Sequence, residues 1–196
     1  MNALRALLNR WRRRLAHALL YRTVFGERSA GTWRPHTRIS PSTCIEHEDG
    51  LRLGDHVYIG PFNFLEASGG IEVGEGVQIT HHCSVVTHSS HRAQRLMGAR
   101  YAGHEGPRPG WIAAPVRIGD YSFIGPHSLL EAGTTLGRGC IVRAGSVLRG
   151  PFPDFAVIAG NPAVVVGDSR DGDERLLARH PEWRAAHQAW AGQEPR

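Results

Sequence analysis

An aliphatic residue returns at every sixth position through long stretches of this 196-residue chain. One series runs Leu53, Ile59, Leu65 and a second Val73, Ile79, Val85. A third runs Ile118, Ile124, Leu130, Leu136, Val142, Leu148. The three series open alike, with Leu51-Arg-Leu-Gly-Asp-His, Ile71-Glu-Val-Gly-Glu-Gly and Val116-Arg-Ile-Gly-Asp-Tyr. Glycine follows the aliphatic residue directly at Gly54, Gly60, Gly74, Gly119, Gly125 and Gly137. Four positions after it sits something small or slim: Val57, Val77, Cys83, Ser122, Ser128, Thr134, Cys140 or Ser146. A period of six is neither helical nor the alternation of a two-faced sheet. It suits very short strands joined by tight turns, with the aliphatic and small residues pointing inward and glycine absorbing the corner. Units of this length bury a core only by stacking on one another, so the expected fold is an all-β parallel solenoid.

This register assigns Cys83 and Cys140 to the core, where a thiol behaves as a small hydrophobe. With Cys44 they form an odd, widely spaced set, which gives no disulfide framework and no metal-type pair and suits a reducing compartment. Two features break the pattern. Asn63 occupies an inward small slot, where an amide needs hydrogen-bond partners. The repeat also stops near Val86 and resumes at Val116, and the Thr87–Pro115 excursion opens with Thr-His-Ser-Ser-His-Arg. A long departure from a strict solenoid is usually functional. Beyond Asp168, Leu176, Leu177, Trp183, Ala186 and Trp190 predict short helices broken at Pro181, a cap for the last open coil.

All 23 basic residues are arginine, set against 18 acids. Residues 1–28 hold seven of them and the single acid Glu27, a net charge of +6, which leaves the remaining 16 arginines and 17 acids at −1. A near-neutral body with a basic tail argues against a dedicated nucleic-acid surface. Within residues 2–21, Leu4, Leu7, Leu8, Trp11, Leu15, Ala18 and Leu19 make one apolar stripe of an amphipathic helix. Either the stripe packs on the body or a neighbouring subunit, or the helix lies on an anionic membrane, each arginine adding about 1 kcal/mol. No apolar run is long enough to span a bilayer, and arginines interrupt any signal-peptide core. The expected division is a basic helix over 1–28, a solenoid over 29–167 with its excursion at 87–115, and a helical cap over 168–196.

The repeats, the histidine-bearing excursion, Ile124-Gly-Pro, Ala144-Gly-Ser-Val and Ala159-Gly-Asn-Pro-Ala resemble the hexapeptide-repeat acyltransferases. Within them the chain is similar to the maltose, galactoside and polysaccharide O-acetyltransferases. The resemblance covers about residues 36–167. It implies a left-handed parallel β-helix, a homotrimer, and acetyl-CoA bound as acyl donor between neighbouring subunits, with no metal. It also implies a cytoplasmic enzyme that acetylates a sugar hydroxyl in cell-surface polysaccharide or lipid-linked glycan synthesis, peripheral to the inner membrane if the helix binds there. A histidine of the excursion would deprotonate the acceptor, a role worth roughly 10²–10⁴-fold. Counting from Val85 favours His91 over His88. Asn63, His82 and Glu66 are the implied acceptor-side residues, with Glu66 also able to orient the base. Gly125, Pro126, Ala144, Gly145, Arg149, Gly160 and Pro162 are implied for the cofactor. The family often has a basic residue where this chain has Val164, which shifts that role to arginines such as Arg143 or Arg149. Three other readings stand beside this one: an amino-sugar N-acyltransferase, a metal-dependent carbonic anhydrase-like β-helix, and a non-catalytic trimeric scaffold.

Overall fold

The computed structural model describes residues 2–192, with nothing stated of the Asn2 side chain. Its body is a left-handed parallel β-helix with three faces. The first face stacks Arg38–Ile39, Tyr58–Ile59, Gln78–Ile79, Phe123–Ile124, Ile141–Val142 and Ala156–Gly160 in parallel. The second stacks Cys44–Glu46, Phe64–Glu66, Ser84–Val86, Leu129–Leu130 and Val147–Leu148. The third stacks Leu51–Leu53, Ile71–Val73, Val116–Ile118, Thr135–Leu136 and Pro151–Phe152. Strands of two or three residues survive because each buries its aliphatic residue on the coils above and below. Ile59, Leu65, Ile79, Val85, Ile124, Leu130, Val142 and Leu148 are fully buried.

The small inward positions serve a second need. A tight corner leaves a carbonyl facing inward, and a short polar side chain three residues later donates to it. Ser128 Oγ reaches Gly125 O at 2.8 Å, Thr134 Oγ1 reaches Glu131 O at 2.7 Å, and Ser146 Oγ reaches Arg143 O at 2.6 Å. Such bonds satisfy groups that would otherwise be buried unpaired. Cys83 and Cys140 occupy the same kind of slot, and burial pushes both thiols up in pKa, Cys140 to about 11. They are core residues, as expected.

The ends are closed differently. Before the first coil an antiparallel hairpin, Glu27–Ser29 with Thr32–Arg34, covers the start of the third face, and Leu53 N–H donates to Ser29 Oγ at 2.7 Å. At the far end Ala163–Asp168 folds back antiparallel on Ala156–Gly160. The helix α1 (Asn2–Leu20) precedes the hairpin. Leu4, Leu7, Leu8, Trp11, Leu15 and Leu19 are all exposed along it, so the stripe does not pack on the body of its own chain. The excursion carries α2 (His91–Met97), and the C-terminal cap carries α3 (Arg170–Leu177) and α4 (Arg184–Ala191) around a short 3-10 turn at Pro181–Trp183. Trp190 of α4 stacks on Tyr121 at 4.6 Å, fastening the cap to a corner of the helix.

Candidate active site

The excursion leaves the helix at the corner between the second and third faces, and its neck is tied back on itself. Ala114 N–H donates to Thr87 O at 3.0 Å, and His88–Ser89 pairs antiparallel with Ile112–Ala113. His88 is therefore held in the two-stranded neck of the excursion, while His91 begins α2 beyond it. One coil below, Glu66 is paired in register with Val86, which brings its side chain under the neck.

Glu66 is buried, and its carboxylate is heavily bonded. Ser68 N–H donates to Oε1 at 2.9 Å, while Thr87 N–H and Thr87 Oγ1 donate to Oε2 at 3.2 and 2.8 Å. His88 Nδ1 lies 2.7 Å from the same Oε2. Burial alone would raise the pKa of Glu66, but bonds from Ser68, Thr87 and His88 outweigh it and hold the group at about 2. The carboxylate is therefore ionised through the neutral range and faces Nδ1 of His88. That contact leaves Nε2 as the imidazole's free nitrogen. The ring is clamped further by Trp111, stacked on it at 4.8 Å and 4°, and by Ser68 Oγ at 3.3 Å from Nδ1. Arg108 lies over both Trp111 and Tyr101, which braces the excursion behind the clamp.

A cavity of about 250 Å³ opens beside this arrangement, lined by Val86, His88, Ser89, His91, Ile112, Leu129, Glu131, Ala132 and Arg149. Both candidate histidines thus border one space. They differ in support: His91 Nδ1 meets Ser89 Oγ at 2.6 Å, a neutral and exposed partner, whereas His88 has the buried carboxylate. The structure thus gives the His88 ring the firmer support, although counting along the chain favours His91. Arg149 forms the opposite wall, 4.0 Å from Glu131. It lies apart from the other residues expected to hold the cofactor.

Those residues gather at the other end of the second face. Pro126, Ala144, Gly145, Gly160 and Pro162 follow one corner up the C-terminal coils, with Gly145 N–H donating to Pro126 O at 2.9 Å. Ala144, Gly145, Gly160 and Pro162 are exposed. Gly145 has φ +72°, and a Cβ there would meet nothing within 4 Å, so the surface above it is open. Gly125, expected among the cofactor contacts, does not join that exposed line. It is buried, and a Cβ would press on Val142 O at 2.6 Å and Ala144 N at 2.7 Å, so its glycine serves coil stacking rather than ligand contact.

Three further expectations change. Asn63 was expected to meet the acceptor, but its amide is consumed inside the helix. Nδ2 donates to Gly60 O at 2.9 Å and Thr80 O at 3.0 Å, and Oδ1 accepts from Cys83 N–H at 2.7 Å. It does the work of Ser128 and Ser146 at the same corner of an earlier coil. His82 was placed on the acceptor side, yet its ring is stacked between Phe62 at 4.9 Å and His127 at 5.0 Å, on the corner away from the His88 cavity. Glu66 is too enclosed to bind an acceptor and instead positions His88. Sequence reasoning missed Trp111 and Glu131; Trp111 lies outside the repeat and only the folded excursion brings it against His88, while Glu131 follows Leu130 inside the repeat with nothing to mark it.

The comparisons agree with this architecture. Residues 115–150 match the family described as bacterial transferase hexapeptide (six repeats). A probable acetyltransferase of Mycobacterium tuberculosis is 32% identical over 145 residues, covering 74% of this chain and 46% of that protein. The galactoside O-acetyltransferase of Escherichia coli is 25% identical over 139 residues, 69% of this chain and 63% of the relative. The chain thus spans about half the length of the first and under two thirds of the second. A hexapeptide-repeat acetyltransferase of Vibrio cholerae, solved with acetyl-CoA, has the same fold, with a TM-score of 0.59 at 24% identity over 67% of each chain.

Proposed function

Because the chain belongs to the hexapeptide-repeat transferases, we propose that it is an acetyl-CoA-dependent O-acyltransferase acting on a sugar hydroxyl, with His88 as general base. The observation that carries the choice of base is the 2.7 Å contact between His88 Nδ1 and the buried Glu66 carboxylate. The acceptor O–H gives its proton to His88 Nε2 as the oxygen bonds to the thioester carbonyl carbon. The C–S bond then breaks, and the proton passes from Nε2 to the departing thiolate. Glu66 moves no proton; it fixes the ring and stabilises the imidazolium that forms between the two steps. Trp111 holds the ring plane against rotation.

The open line over Ala144, Gly145, Gly160 and Pro162 suits the slender arm of acetyl-CoA, and Arg149 suits a phosphate or another anion. This line and the His88 cavity sit at opposite ends of one face, which favours a ring of three copies in which one protomer's corner meets the next protomer's cavity. The apolar residues Phe123 and Ile141, exposed on the first face, support such contacts. The free stripe of α1, with five arginines and no acid along that helix, supports peripheral attachment to an anionic membrane, where lipid-linked glycan acceptors reside.

The test is thiol release from acetyl-CoA with a panel of free and lipid-linked sugars and amino sugars, each product identified by mass. His88→Ala should lose roughly 10²–10⁴-fold in kcat, and His91→Ala should stay within about tenfold of wild type, since a base outside the transfer step contributes far less. Loss confined to His91→Ala would move the base, and transfer to amines alone would replace the hydroxyl reading.

A further inference from the structure

We propose that His36, Asp55 and His56 form a binding site for a borderline divalent transition-metal ion such as Zn²⁺ or Ni²⁺, separate from the His88 cavity and holding the first two coils together. His36 and His56 lie 20 residues apart, one full coil, at the corner that joins the third face to the first. Their rings stack at 4.4 Å and 2°. His36 Nδ1 is 3.0 Å from Asp55 Oδ2, and one nitrogen of each ring and a carboxylate oxygen all lie within 4.8 Å of one another. Among the described residues of one chain this is the one trio of histidine, cysteine or acidic side chains so arranged; the histidines of the excursion form no such group.

The fold explains only part of the trio. A carboxylate at this corner recurs up the helix to hold the backbone of the preceding coil. Asp55 Oδ1 accepts from His36 N–H at 2.9 Å, Asp120 Oδ1 from Glu75 N–H at 2.8 Å, and Asp154 Oδ1 from Arg138 N–H at 3.1 Å. Each uses one oxygen for that purpose. The second oxygen of Asp154 faces Arg138, whereas that of Asp55 faces an imidazole with a second imidazole stacked beside it. The backbone bond needs neither ring. Residue 56 has φ +58°, and the corresponding corner position in the next coil is Gly76, so no side chain is required there.

Two imidazoles and one carboxylate make a mixed nitrogen and oxygen set that suits Zn²⁺ or Ni²⁺, while Mg²⁺ and Ca²⁺ prefer oxygen alone. Bonds of about 2.0–2.2 Å would draw the donors to roughly 3.3 Å apart in a tetrahedral arrangement. The His36 side chain is 58% exposed, so its ring is free to turn into place. The remaining positions would be filled by water.

The full-length protein, stripped with a chelator, should be titrated calorimetrically with ZnCl₂ or NiCl₂, and with MgCl₂ as the contrast. One ion per chain with micromolar affinity is expected at pH 7.5. At a hundredfold excess over Kd the melting temperature should rise by about 5–10 °C. His56→Asn, compatible with the left-handed backbone, and His36→Gln should each melt like wild type without metal and lose the stabilisation. His88→Ala should keep it. No saturable binding by Zn²⁺ or Ni²⁺, equal binding by Mg²⁺, or unchanged binding in both His36 and His56 variants overturns the site.

Discussion

Replacing Glu66 by glutamine tests the role of the dyad more sharply than removing the histidine, because the substitution is nearly isosteric and buried. Oε2 takes three close partners, from Thr87 N–H, Thr87 Oγ1 and His88, so the glutamine carbonyl must sit there. Its NH₂ then faces Ser68 N–H, which now donates to Oε1 at 2.9 Å. Two donors facing each other in a buried site cost about 1–3 kcal/mol, or roughly 2–12 °C in melting temperature for a chain of this size. The catalytic loss has a different origin. A charge-assisted bond at 2.7 Å is worth about 1.5–3 kcal/mol, most of it gained as His88 becomes positive. At about 1.4 kcal/mol per decade, kcat should fall roughly 10–150-fold. KM for acetyl-CoA should not change, since Glu66 is enclosed by protein. Kinetics of Glu66→Gln, His88→Ala and the double variant at 20–25 °C measure this directly. If Glu66 acts only through His88, adding Glu66→Gln to His88→Ala costs nothing further. Multiplying effects in the double variant would refute the dyad, as would a wild-type kcat in Glu66→Gln.

Three other outcomes follow from the same geometry. Asn63→Ala strips partners from Gly60 O, Thr80 O and Cys83 N–H, so it should destabilise by about 1–3 kcal/mol or more while leaving acceptor KM alone; a raised acceptor KM with an unchanged melting temperature would restore Asn63 to the site. The Glu66 carboxyl, ordinarily at 4.5 and held at about 2, is depressed on folding, so its stabilisation is complete above about pH 4.5 and is lost as pH falls toward 2. The gap in melting temperature between wild type and Glu66→Gln should therefore narrow between pH 7 and pH 3, and a constant gap would contradict the charged state. Deleting residues 1–20 should abolish co-sedimentation with vesicles containing anionic phospholipid while sparing transfer to soluble sugars; full-length protein that never sediments with them would return α1 to a protein contact.

Most of the interior was legible because it depends on one repeating constraint. Ile124, Leu130, Leu136, Val142 and Leu148 must point inward if the coils are to stack, and a period of six says so directly. The choice between His88 and His91 was not legible by counting from Val85, because distance along an excursion says nothing about which residue its paired neck holds against the coil below. A signal did exist in the phase of the repeat. Eight positions separate Ile45 from Leu53 and Leu65 from Val73, and 33 separate Val85 from Ile118, where six suffice elsewhere. All three breaks fall at the corner between the second and third faces. Aligning the coils on that corner places Glu66 beside Val86 and Ser68 beside His88, which is the observed arrangement. Trp111 had no such marker, since the path of the excursion is not set by the repeat.

The same comparison shows which polar residues in a solenoid carry functional information. Inside a coil, Asn63, Cys83, Ser128 and Ser146 are interchangeable answers to one demand, a slim group beside an inward carbonyl, so an amide there is weak evidence for a ligand. Glu66 answers no such demand. Stacking would be satisfied by a small or apolar residue at its place, and burying a carboxylate is costly unless several donors meet it. The donors that do meet it come from Ser68, Thr87 and His88, all at the corner where the repeat loses phase. A buried charge at a phase break therefore marks the site, because the regular coil neither needs it nor can supply its partners.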